Sequence, residues 1–248
     1  MDWNLKSGVI VIGSLLWQDY LNEKGDDIRR SWREEHLDLD NKIPIKVPIR
    51  YGRLSRSGIA TMVYSNRMKN KLGFAYLIPL KHKINNTEAL IEETQALSVA
   101  EGMKGDFTRA WGVLTYLMNE ERINPDFKKK IIRVFRQRKN AELDINQYKV
   151  GREKSCITKS LKLNIDWVKP IRSKDLKKLE QFDFLMATAT KPKNRLLTFK
   201  EIANGIESDL GREYFINNIK NGIVTQEDFI IAKQMEKPAN NKGSSKKP

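Results

Sequence analysis

The spacing of apolar and polar positions changes period along this chain. From Val9 to Trp17 the run VIVIGSLLW is β-branched and apolar, which predicts a buried strand running into a turn at Gly13-Ser14. Asp26 to Glu35 (DDIRRSWREE) predicts a short charged helix or turn with aspartates near its start. Ile43 to Ser55 alternates apolar and polar residues and holds two prolines, so it predicts an extended strand, kinked or at an edge near Pro44 and Pro48. IATMVYS and then GFAYLIPL (Gly73 to Leu80) predict two more strands. Strands near 9–17, 47–54, 59–65 and 73–80 are expected to form one mixed sheet or small barrel, with a helix over 87–101 packed beside it.

That helix marks the change to period 3.6. Ala89, Leu90, Leu97 and Ala100 fall near one face, with Thr87 or Asn86 as the cap and Gly102 as the stop. Arg109 to Asn119 and Asp126 to Gln137 predict two further helices, the second amphipathic with Phe127, Ile131, Val134 and Phe135 on one side. Residues 138–172 carry little periodicity, except that SLKLNIDWV alternates like a strand. FDFLMATAT predicts a strand, and the segments TFKEIANGI, REYFINNIKNG and TQEDFIIAKQM predict terminal helices. Residues 237–248 have the composition of a disordered tail.

Composition sharpens this α+β picture. The chain has 248 residues, enough for one large domain or a domain with an added lobe, and 40% apolar residues, enough for a sizeable core. No apolar run approaches bilayer length and no cleavage pattern follows the first strand, so a cytoplasmic protein with no membrane partner is expected. The net charge of +15 is concentrated: residues 122–200 hold 22 Lys/Arg against 8 Asp/Glu, while residues 1–121 hold 17 against 16. The expected organisation is a strand-rich core over 1–121, a basic helical and strand extension over 122–200 packed on it, C-terminal helices over 201–236, and the tail. The basic stretch is either a solvated lobe or an anion-binding face, with nucleic acid as a possible partner through Lys128, Lys129, Lys130, Arg133, Arg136 and Arg138.

Candidate chemistry is sparse. His36 and His82 lie far apart with no metal-site spacing, Cys156 is the sole cysteine, and no nucleotide glycine motif occurs. Three features remain. The Gly13-Ser14-Leu15 turn can aim backbone N–H groups into one concavity suited to a carboxylate or oxyanion. Arg50 and Arg53, three apart on an extended segment, point to opposite faces, so one of them is free to pair with a substrate carboxylate. Glu101 stands beside a helix-terminating glycine, close to Leu97 and Met103, where partial burial would raise its pKa.

The order strand-IGSLLW, IRYGRLSR, GFAYLIPL and LSVAEG resembles the gamma-glutamylcyclotransferase-like family, its glutathione-specific branch in particular. Gly13, Ser14, Leu15 and Trp17 match the family's loop, with Ile12 where the family has tyrosine. Gly73 and Tyr76 match a later strand, and Leu97, Glu101 and Gly102 match the segment that carries the catalytic glutamate. GREYFINNIKNGIVTQEDFI is similar to the terminal helices of that branch. The resemblance implies a small β-barrel flanked by helices and a cofactor-free enzyme that releases an amine from a gamma-glutamyl compound as 5-oxoproline. It implies Glu101 as general acid and base, with Gly13, Ser14, Leu15 and Arg50 or Arg53 holding the substrate. A catalytically silent metabolite binder and a nucleic-acid binder remain the alternatives.

Overall fold

A computed structural model of the chain describes residues 3–20, 27–139 and 143–235. The segment expected to be a disordered tail lies outside the described residues. The elements in chain order begin with β1 (Ser7–Val11), α1 (Ile28–His36), β2 (Ile43–Val47), β3 (Ile49–Leu54), β4 (Ala60–Tyr64), β5 (Gly73–Pro79) and α2 (Thr87–Ala100). They continue with β6 (Thr108–Arg109), β7 (Gly112–Met118), α3 (Pro125–Gln137), β8 (Lys169–Pro170), the short α4 (Leu176–Leu179), β9 (Phe184–Thr190), α5 (Phe199–Glu207), α6 (Asp209–Lys220) and α7 (Asp228–Met235).

The fold is α+β. Seven strands form a mixed sheet in the order β6-β7-β9-β1-β5-β2-β8, and β3 and β4 pair separately as a hairpin. Only β1 and β9 run parallel; every other pair is antiparallel. The expected barrel is not found: among the described residues no pairing joins β6 to β8, and the hairpin stays outside the sheet. Pro48 explains part of the difference. It has no N–H to donate, so the single extended segment expected over 43–55 is cut in two. Its first half pairs with β5 and its second half with β4.

Residues 109–119 form β6 and β7, not the expected helix. All seven residues of β7 are buried, with β9 along one edge. An apolar run buried on both faces has no period to read, and Val113, Thr115 and Tyr116 suit a strand. The expected strand over 160–168 is absent as well. Leu161 has φ +65, and the segment makes only single bridges to Tyr116 and Ile157. Residues 122–200 do not form an added layer alone, since their strand β9 sits between β7 and β1 in the middle of the sheet.

Candidate functional site

Helix α2 delivers Glu101 by its ending. Asn86 caps the start, its side chain accepting from the Ala89 N–H at 2.7 Å. At the other end Met103 N–H donates to Ser98 O (2.8 Å) and Gly102 N–H to Val99 O (2.9 Å), with Gly102 at φ +78. This double closure requires the left-handed residue that glycine supplies, and it fixes Glu101 as the last residue before the chain turns away.

The loop after β1 is held by α1. Arg29 and Arg33, four apart, share a helix face. Arg33, 6% exposed, donates to Leu15 O and Gln18 O, both at 2.9 Å, and pairs with Asp19. Arg29 donates to Ser14 Oγ (3.2 Å) and to Ala100 O (3.1 Å), and its guanidinium stands 3.9 Å from Glu101 Oε2. One side chain therefore joins the β1 loop to the end of α2. Among the described residues no group accepts the N–H of Ser14 or Leu15, as expected for the first donors of a tight helical turn.

Burial pushes the Glu101 carboxyl up, while Arg29 and the Thr188 hydroxyl pull it back in part. Its side chain keeps only 15% exposure, so the carboxylate is secluded. The fully buried Tyr64 OH finds no hydrogen-bond partner among the described residues, and the Glu101 charge acts on the Tyr64 phenol. Helix α6 covers the loop: Trp17 Nε1 donates to Asn218 Oδ1 at 2.9 Å, and the Trp17 and Tyr214 rings lie 6.1 Å apart. The Tyr214 OH stands only 2.7 Å from where a Cβ on Gly13 would be, so a side chain there would have to displace the Tyr214 ring. Burial raises the Tyr214 phenol, and Glu101 and Arg29 both act on it. Tyr214 thus holds a neutral phenol at the junction of loop and glutamate.

Of the expected residues, Ser14 is joined to Glu101 through Arg29, while Gly13 and Leu15 flank it in the same turn and Leu15 is held by Arg33. The two arginines of β3 part company. Arg50 is buried and paired with Glu227 at 2.9 Å. Arg53 is half-buried, its guanidinium 5.6 Å from the centre of the Trp111 ring, and no carboxylate pairs with it among the described residues. Burial lowers its pKa, opposed by Tyr214. Gly73 and Tyr76 serve packing elsewhere: Gly73 lets the Val224 carbonyl approach, and Tyr76 lies beneath Lys42 with its OH by Gly222. Cys156 is buried and its thiol is pushed up to about 12, which removes it as a nucleophile near neutral pH.

Sequence reasoning missed Arg29, Thr188 and Tyr214. The four-residue spacing of Arg29 and Arg33 around the apolar Trp32 was the available signal for the first. Thr188 and Tyr214 gave none, because their neighbours come from distant parts of the chain. No helix among the described residues is long and apolar enough to cross a membrane. No family model matches this chain, and no curated protein or solved structure does either.

Proposed function

We propose that the chain is a gamma-glutamylcyclotransferase-like enzyme that converts a gamma-glutamyl compound to 5-oxoproline and a free amine. The observation that carries the reading is the Arg29 bridge, which brings Ser14 and the raised carboxyl of Glu101 within reach of one guanidinium. In the reaction the substrate's α-amino nitrogen forms a bond to its own γ-carbonyl carbon, and the bond from that carbon to the leaving nitrogen breaks. Nucleophile and electrophile belong to one molecule, so ring closure needs little further ordering. Glu101 takes the proton released from the attacking ammonium and returns it to the departing amine, a double duty that a raised carboxyl suits. The N–H groups of Ser14 and Leu15, with the Tyr214 phenol, are the donors for the developing oxyanion. Arg53, which no carboxylate pairs with among the described residues, is the cation for the substrate carboxylate; Arg50 is already neutralised by Glu227.

The test is incubation with a panel of gamma-glutamyl dipeptides and amides, with 5-oxoproline measured by mass spectrometry. Turnover is expected for at least one compound, and Glu101→Gln should lower it by about 10²–10⁴-fold, the usual worth of a general acid–base. Wild-type turnover in that variant removes Glu101 from the role, and absence of 5-oxoproline across the panel removes the reading.

A further inference from the structure

The end of the sheet opposite Gly13 carries a second, differently charged feature. Because β1 runs parallel to β9 and antiparallel to β5, the starts of β1 and β9 and the end of β5 share one sheet edge. The end of β7 joins them there. A groove of about 500 Å³ opens along that edge, lined by Lys6, Lys81, Lys83, Arg122, Gln181 and Asp183 among others. Asp183 is its one carboxylate, and it is already engaged. It is buried, accepting from Arg122 Nε through Oδ1 and from the Lys6 N–H through Oδ2, both at 2.9 Å. Lys6 Nζ reaches the Gln181 amide oxygen and Lys81 Nζ the Glu34 carbonyl, neither of which neutralises a charge. Among the described residues no carboxylate pairs with Lys6, Lys81 or Lys83.

The cationic surface does not end at the groove. Trp3, next to the groove residue Asn4, packs on Phe127 of α3 at 5.4 Å, and Lys130 Nζ lies 5.8 Å from the Trp3 ring centre. Beyond it Lys129, Arg133 and Arg136, spaced four and three apart on one face of α3, line a second hollow of about 480 Å³; Lys129 pairs with Asp126 at 3.2 Å, and among the described residues no carboxylate pairs with Arg133 or Arg136. We propose that the groove and this face of α3 together form a docking track for the phosphodiester backbone of nucleic acid. A single anion would need one pocket, whereas two basic hollows, with Lys130 next in sequence to Lys129 of one and packed on Trp3 beside Asn4 of the other, match a repeating charge. The groove lining has no aromatic ring except the His82 imidazole, so the track reads phosphates and not stacked bases. Binding is therefore independent of sequence and steeply salt-dependent. This site is separate from Glu101 and holds whether or not the chain is a cyclotransferase.

The test compares two charge-reversed triples that change net charge equally. One carries Lys83→Glu, Lys130→Glu and Arg133→Glu on the track; the other carries Lys174→Glu, Lys177→Glu and Lys178→Glu at the β8 edge of the sheet. All six positions are exposed, and a Gln series at the three track positions repeats the measurement without adding acids. Affinity for a labelled duplex of about 20 base pairs is measured against salt concentration. The track triple should make the log–log salt slope shallower by about 2–3, since each lost phosphate contact removes about 0.9. Its affinity at fixed salt should fall at least about tenfold. The control triple should keep the slope. Equal loss in both triples overturns the proposal in favour of diffuse net charge. Displacement of the duplex by polyglutamate at equal charge concentration overturns it in favour of an acidic protein partner.

Discussion

Glu101 carries its charge in a place that resists it. Burial raises its carboxyl above the ordinary glutamate value, so the folded chain holds that proton at pH values where the unfolded chain has released it. Stability is therefore lost as pH rises from the ordinary carboxylate range through the raised folded value. Glu101→Gln keeps the shape and removes the charge. It should melt at a higher temperature than the wild type at pH 7, by an amount that shrinks to nothing as pH falls below the ordinary carboxylate range. Thermal melts of both proteins between those limits check this. A wild type that is the more stable at pH 7 would mean that Arg29 outweighs burial. A residue whose replacement stabilises the fold is one retained for something other than stability. The position of Glu101 was legible from Ala-Glu-Gly at the end of an apolar-periodic helix. Its partner Arg29 was not, because a segment written DDIRRSWREE looks solvated until the loop it grips is known. Arg50 and Arg53 show the same limit. Alternation predicted opposite faces, but the register shift at Gly52 sets Arg50 across from Val63 and Arg53 across from Thr61, two apart on β4 and so on one face; Glu227, which neutralises only Arg50, lies far along the chain.

At the scale of elements, α1 docks on α2 through an ionisable contact. His36 Nδ1 donates to Glu93 Oε2 at 3.0 Å, where Glu93 is buried and the His82 ring stands edge-on 6.2 Å from His36. The hydrogen bond to Glu93 raises the His36 pKa above 6.5, helped by the charges of Glu93, Glu35 and Glu92 and opposed by burial. For a histidine raised in this way the stabilisation is complete below the unfolded value and is lost as pH rises through the folded one. His36→Gln should cost about 1.5–3 kcal/mol near pH 6, the range for a hydrogen bond to a charged group, and clearly less near pH 9. Urea titrations at the two pH values measure the difference, and an equal loss at both would assign the contact to packing alone. Element boundaries were read closely where a stop was written locally, as at Gly102, while at the start of α2 the alternative Asn86 and not Thr87 is the cap. They were misread at 109–119, where complete burial erased the period that separates strand from helix.

At the scale of the whole molecule, the strand positions in the first eighty residues were legible, but neither their number, five where four were expected, nor their closure was. The strand pattern left a mixed sheet or a small barrel open, and the family resemblance implied the barrel. The sheet instead takes its central neighbour from residues 184–190, and Pro48 diverts β3 into a hairpin. The hairpin is tied back by α6, whose Phe215 ring lies 6.0 Å from Tyr51, and by the buried pair of Arg50 with Glu227. The same α6 covers the loop at Gly13.

The parallel pairing of β1 with β9 has a consequence for the order in which the molecule is made. The Lys6 N–H and the Asp183 carboxylate that anchor this pairing are 177 residues apart in the chain. A ribosome must therefore expose β1, β5 and β2 long before the strand that completes the centre of the sheet exists. Until then one edge of β1 and one edge of β7 are unpaired, an invitation to pair with another chain. Contacts of such long range also slow folding. A fragment ending at residue 180 should aggregate on expression, and a separately supplied peptide covering 181–192 should raise its soluble yield, as read by sedimentation. Soluble monomer without the peptide would show that the early strands stand alone. Synthesis of this protein is then a wait of some 170 residues during which its first strand must be kept from the wrong neighbour.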